Sequence, residues 1–202
     1  MKTNIISEVG VNHDGSFSKL KKIILKSKIA GADYVKLQVY NTDEIVIKKS
    51  TSAKYQKKIE KNQYNLLKKY ELSKKNIIKI SNYCKKNKIK LIATCFDIKS
   101  FNFCKKILSS LIYKIGSGDL DNLPLIYEIA LSRKKIILST GMSNINAIDN
   151  ALKTIIYAYN KKKKPTFEKI KNIKLNKRNL TFLKNKVSIL HCVSAYPTKI
   201  SD

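Results

Sequence analysis

Acidic residues are scarce in this sequence: 14 Asp+Glu stand against 42 Lys+Arg in 202 residues, a formal net charge of +28. Arginine is scarcer still, because only Arg133 and Arg178 occur among those cations and the rest are lysine. Nucleic-acid readers draw on arginine for bidentate and stacking contacts, so nucleic acid is not the expected partner. The lysines are spread among abundant Ile and Asn, which reads as compositional drift across a soluble protein, with a field that steers small anions. No run of eighteen apolar residues is present, nor a signal-peptide pattern at the start; the expectation is a cytoplasmic chain with no membrane partner. The four cysteines, Cys84, Cys95, Cys104 and Cys192, have neither CxxC nor zinc-finger spacing and are too few for a disulfide scaffold. Three lie within or beside apolar runs, so buried free thiols are expected. The two histidines, His13 and His191, sit in separate motifs and make no metal cluster.

What is present is alternation. Short β-branched runs at 4–9, 33–39, 89–94, 112–116, 135–140 and 186–192 read as strands. Between them, apolar residues recur at three and four in segments such as "FSKLKKIILKSKIAGA" and "NINAIDNALKTIIYAYN", the helical period. Ser16 and Ser73 are placed as N-caps, and Gly31 closes the first helix. Strand and helix repeated this often predict an α/β fold of parallel strands with outer helices. Two segments break the rhythm: a long excursion at 40–72, and an insert at 160–185. Because the insert joins a helix to the next strand, it is expected on the barrel face opposite the catalytic loops.

Polar residues gather where the strands end. Glu8 is followed by Asn12 and His13; Lys36 and Gln38 end the second strand, Thr94 the third; then come Ser117 and Asp119, Ser139, and finally Ser194 and Tyr196. In a barrel of parallel strands those ends meet on the face that carries the active site. Lys36 lies between Val35 and Leu37, so strand alternation turns it to the other face, inward, where a lysine needs an anionic partner. Lys114 repeats the pattern. After it, "GSG" on a strand end reads as a phosphate or carboxylate cradle of backbone N–H groups and the Ser117 hydroxyl. His13 reads equally as a ligand-facing residue or as a loop histidine bonded locally, and His191, within a strand, as structural.

Four ordered stretches, "SEVGVNHDGSFSKLKKIILKSKIAGADYVKLQ", "YKIGSGDLDNLPLIYEIA", "KKIILSTGMSN" and "LHCVSAYPT", resemble the motifs of the N-acetylneuraminate (sialic acid) synthase family. The resemblance implies an incomplete (β/α)8 TIM-type barrel of six parallel strands over 1–202, and condensation of phosphoenolpyruvate with an N-acetylmannosamine-type sugar. By position it assigns Lys36, Thr94, Lys114, Ser117 and Ser139 to the phosphate and carboxylate of phosphoenolpyruvate, and Ser194 and Tyr196 to a loop over the same ligand. Glu8 matches a carboxylate near the sugar and the reacting carbons. Asp119 stands where many members carry Glu, an acid or base one methylene longer.

The resemblance also implies parts that these residues do not contain: a seventh and eighth strand, histidines for a Mn2+ or Mg2+ ion, and an antifreeze-like domain reaching into a partner's site. The expectation is a chain inactive alone, working as a homodimer or with a complementing C-terminal polypeptide. The alternative is a non-enzymatic remnant or basic binding module; the presence of Glu8, Lys36, Lys114 and Ser117 in their motifs weighs against it.

Overall fold

The structure is a computed structural model, and it describes residues 3–52, 60–160 and 163–193. The chain divides into two compact units, Met1–Ser110 and Leu111–Asp202.

The first unit is built on three parallel strands, β1 (Ile6–Gly10), β2 (Tyr34–Val39) and β3 (Lys90–Cys95). β2 lies between the other two, with Glu8 opposite Lys36 on one side and Gln38 opposite Thr94 on the other. Being central, β2 is buried on both faces, apart from half-buried Gln38, as expected of a parallel strand covered on both sides. The β1 register slips between Glu8 and Gly10, a bulge at buried Val9. α1 (Phe17–Ile29) sets Leu20 and Ile24 into the core, and its first turn is capped by Ser16, whose hydroxyl accepts from the Lys19 N–H. Gly31 follows at φ +89°, where a Cβ would strain the backbone. α4 (Lys74–Lys86) is capped by Ser73 in the same way and buries Ile77, Ile80 and Cys84. α5 (Ile98–Ile107) follows β3 and buries Phe101 and Cys104.

The excursion at 40–72 contains two helices, α2 (Thr42–Ile45) and α3 (Gln63–Tyr70), with an antiparallel bridge between Thr51 and Asn62. Glu71 fastens it: its Oε2 accepts from the Thr42 N–H at 3.1 Å and the Thr42 hydroxyl at 2.7 Å.

The second unit repeats the scheme with β4 (Ile112–Ile115), β5 (Lys135–Ser139) and β6 (Val187–Leu190), each paired parallel to the next. α6 (Leu123–Leu131) and α7 (Ile145–Asn160) supply most of its core, including Leu125, Ile126, Ile129, Ala151 and Ile155. β6 ends at Leu190, so His191 lies after the strand, exposed, instead of within it. The insert forms α8 (Phe167–Lys171) and α9 (Lys177–Lys186). α9 stays near the far end of α7, where Phe182 meets Tyr159 with ring centroids 4.5 Å apart. α8 instead packs beside the first half of α7, toward Asn146, so this part of the insert does not keep to the end of the strands where α7 finishes.

Three cysteines, Cys84, Cys95 and Cys104, are buried free thiols, and Cys192 is half-buried. No helix among the described residues is long and apolar enough to cross a membrane.

Candidate active site

In the first unit one sheet face carries the polar set. Side chains alternate along β2, so Lys36 and Gln38 share a face while Val35, Leu37 and Val39 take the other. The register extends that face to Glu8 and Ile92, both opposite Lys36, and to Thr94, opposite Gln38. Lys36 is only 8% exposed, and its ammonium donates to Glu8 Oε2 in an ion pair whose carboxylate stays solvent-accessible. Burying an ammonium is costly without such a partner. Thr94 is 3% exposed, and its hydroxyl has no hydrogen-bond partner among the described residues. An orphaned hydroxyl of that kind costs about 1–3 kcal/mol, which a ligand oxygen would offset.

The turn after β1 holds His13, buried, with its Nδ1 accepting from the Gly15 N–H at 3.0 Å. That bond leaves the neutral ring's proton on Nε2. Burial pushes the His13 pKa below its usual value, against the pull of Asp14 and with help from Lys19. The reading of His13 as a locally bonded loop histidine is the one the hydrogen bond at Nδ1 supports. Asn12 is exposed, and its backbone N–H donates to Val9 O. Asp97, buried after β3, accepts from the N–H groups of Asn41 (2.9 Å) and Ser100 (2.7 Å), tying the exit of β2 to the start of α5.

In the second unit Lys114 is 7% exposed, and its ammonium donates to the Ser139 hydroxyl on the next strand and to Ile115 O at 3.1 Å. Ser117 and Asp119 form a single 3-10 turn directly after β4, held by the Ser143 hydroxyl donating to Ser117 O at 2.9 Å. Burial pushes the Asp119 carboxyl up to about 6, with Lys114 opposing. A carboxyl there exchanges protons near neutrality, which suits an acid or base.

Sequence reasoning left out two members of this unit. Gly141 lies so close to the chain after β6 that a Cβ on it would come 2.6 Å from Cys192 O. Around the Cys192 thiol, burial acts to raise the pKa but is outweighed by the Ser139 hydroxyl, the Thr140 and Gly141 amides and Lys114, which bring it below its ordinary value. The signal was the motif "STGMSN" itself, where glycine permits close approach and backbone N–H groups follow a strand end. Ser194 and Tyr196 lie outside the described residues.

Among the described residues no group of three or more His, Cys, Asp or Glu could hold a metal ion. The described residues do not by themselves fit a divalent cation.

Residues 23–202 match the NeuB family. The chain is 33% identical over its whole length to the N,N'-diacetyllegionaminic acid synthase of Campylobacter jejuni, spanning 54% of it, and 28% identical to the N-acetylneuraminate-9-phosphate synthase of Drosophila melanogaster, with 98% of the chain and 47% of that protein aligned. It thus spans about half the length of these curated relatives. The crystal structure of the N-acetylneuraminic acid synthetase of Leptospira borgpetersenii superposes on 100% of the chain and 57% of its own, with a TM-score of 0.71 at 27% identity. The fold is therefore α/β, six parallel strands of a TIM-type barrel with outer helices, and the chain belongs to the NeuB family.

Proposed function

We propose that this chain is the phosphoenolpyruvate-binding portion of a sialic acid-type synthase, joining phosphoenolpyruvate to an N-acetylmannosamine-type sugar with release of phosphate. The observation that carries the reading is a repeated one: in each unit a strand lysine more than nine-tenths buried shares its sheet face with a hydroxyl, Thr94 in one case and Ser139 in the other. Two buried lysines, one paired with the solvent-accessible carboxylate of Glu8 and one on the same face as the Ser139 hydroxyl, suit a small ligand with several negative charges, because charge-assisted bonds compensate its desolvation. Phosphoenolpyruvate, with a phosphate and a carboxylate, is such a ligand.

In this reading Lys36 and Thr94, and Lys114, Ser117 and Ser139, bind the anionic groups of phosphoenolpyruvate and fix its methylene carbon. That carbon attacks the aldehyde carbon of the open-chain sugar. Water then adds at the carbon bearing the phosphate, and phosphate leaves by carbon–oxygen cleavage, giving a 2-keto acid. Asp119, titrating near 6, can hold or release a proton of that water, and Glu8, displaced from Lys36 by the incoming anion, is free to meet the sugar. Gln38, His13 through its Nε2–H, Asn12 and the loop of Ser194 and Tyr196 belong to the same proposal as substrate contacts. So do a manganese or magnesium ion held by ligands beyond these residues, a cytoplasmic location, and a homodimer or complementing polypeptide.

The test is phosphate release from phosphoenolpyruvate with N-acetylmannosamine, its 6-phosphate or a diacetamido sugar, using the chain alone and together with the C-terminal half of a family member. Sugar-dependent release in the combined sample, lost in Glu8→Gln, is the expected result. Absence of release with every sugar, in both samples and with Mn2+ or Mg2+ supplied, would leave the basic binding module as the better reading.

A further inference from the structure

The insert after α7 has no part in the site described above, yet it builds a cavity. Between α7 and α8 opens a groove of about 390 Å3, lined by Asn146, Asp149, Asn150 and Lys153 of α7 and by Phe167 and Lys171 of α8. That volume lies within the range of small-molecule sites. Phe167 is 52% exposed, an aromatic surface not spent on the core. The Lys171 ammonium lies over that ring, 4.8 Å from its centroid, so aromatic ring and cation form one surface of the groove. Asn146 and Asn150 are one helical turn apart and project to the same side, each with an amide that both donates and accepts.

The charges select further. Asp149 is paired with Lys153 at 2.8 Å, and each neutralises the other. Lys171 has no ion-pair partner among the described residues, so the side chains that line the groove carry one unpaired positive charge. That charge favours an anion over a neutral ligand, and the exposed Phe167 ring favours an anion that also carries an apolar face over inorganic phosphate.

We propose that this groove binds an acidic sugar with a single carboxylate. The apolar face of its ring lies on Phe167, its hydroxyls meet the amides of Asn146 and Asn150, and its carboxylate meets Lys171. The identification of this ligand class with the reaction product, and hence of the groove as a second product site, rests on the proposed synthase function; the binding itself does not.

The experiment is a calorimetric titration of the 202-residue chain with N-acetylneuraminate in saturating phosphoenolpyruvate, repeated on Phe167→Ala and Lys171→Glu, both exposed positions outside the proposed catalytic and phosphoenolpyruvate-binding set. The expected result is binding that persists with phosphoenolpyruvate present and weakens at least about tenfold in each variant. N-acetylmannosamine, neutral, and inorganic phosphate should each bind at least about tenfold more weakly. Absence of binding, equal affinity in wild type and both variants, displacement by phosphoenolpyruvate, or equal affinity for the neutral sugar or phosphate would each overturn the proposal. A separate titration with phosphoenolpyruvate, on Lys36→Ala, keeps a failure of the synthase reading distinguishable from a failure of the groove.

Discussion

Lys36 and Lys114 were legible from alternation alone, because a lysine between two apolar strand residues must face the opposite side from them. The Thr94 orphan hydroxyl was not legible, since whether a hydroxyl finds a partner depends on neighbours from other strands. Cys192 was opaque for the same reason: only the pairing of β6 with β5 brings its thiol to Ser139 and the Thr140 and Gly141 amides. Asp119 gives a prediction at this scale. Its folded pKa, about 6, stands above the ordinary 3.8, so folding disfavours its charged form. That penalty is absent below pH 3.8, grows as pH rises, and is complete above pH 6. Asp119→Asn should therefore be more stable than wild type at pH 8, by at most about 3 kcal/mol at roughly 1.4 kcal/mol per pKa unit, and equal to it near pH 4. Urea unfolding at the two pH values measures this, and a gap that widens toward acid would contradict the assignment.

At the scale of elements, the caps at Ser16 and Ser73 and the turn at Gly31 were legible because each answers a local need of the backbone. β6 was read too long: "HC" continues its apolar run, but the β5 ladder ends opposite Leu190. The path of α8 was hidden, because connectivity says where an insert leaves the barrel and nothing of how a short helix returns along its neighbour. Two joints between elements can be tested. Gly141→Ala places a methyl 2.6 Å from Cys192 O, and should destabilise the chain by about 1–3 kcal/mol while loosening the segment after β6; an unchanged melting temperature would show that segment already free to move. Asp97→Ala leaves the Asn41 and Ser100 N–H groups without their acceptor, for a loss of about 2–4 kcal/mol, whereas Asp97→Asn, which keeps one acceptor oxygen, should lose less. Equal losses in the two would show that charge or packing, and not the two hydrogen bonds, explains this residue.

On the scale of the whole molecule, strand–helix alternation and four ordered motifs sufficed to name the fold and the family, since both are written in residues local in sequence. The reaction is not carried by half the length of its relatives in the same way, and the acceptor sugar least of all: the relatives described above include synthases of legionaminic and neuraminic acids. The proposed binding of phosphoenolpyruvate rests on Lys36 and Lys114, one lysine buried in each unit. Titration calorimetry of phosphoenolpyruvate into the folded chain, wild type beside Lys36→Ala and Lys114→Ala, tests this most directly. The account predicts one binding event in wild type, weakened by roughly 1.5–3 kcal/mol in either variant, the scale of a hydrogen bond to a charged group; unchanged affinity in both variants would contradict it.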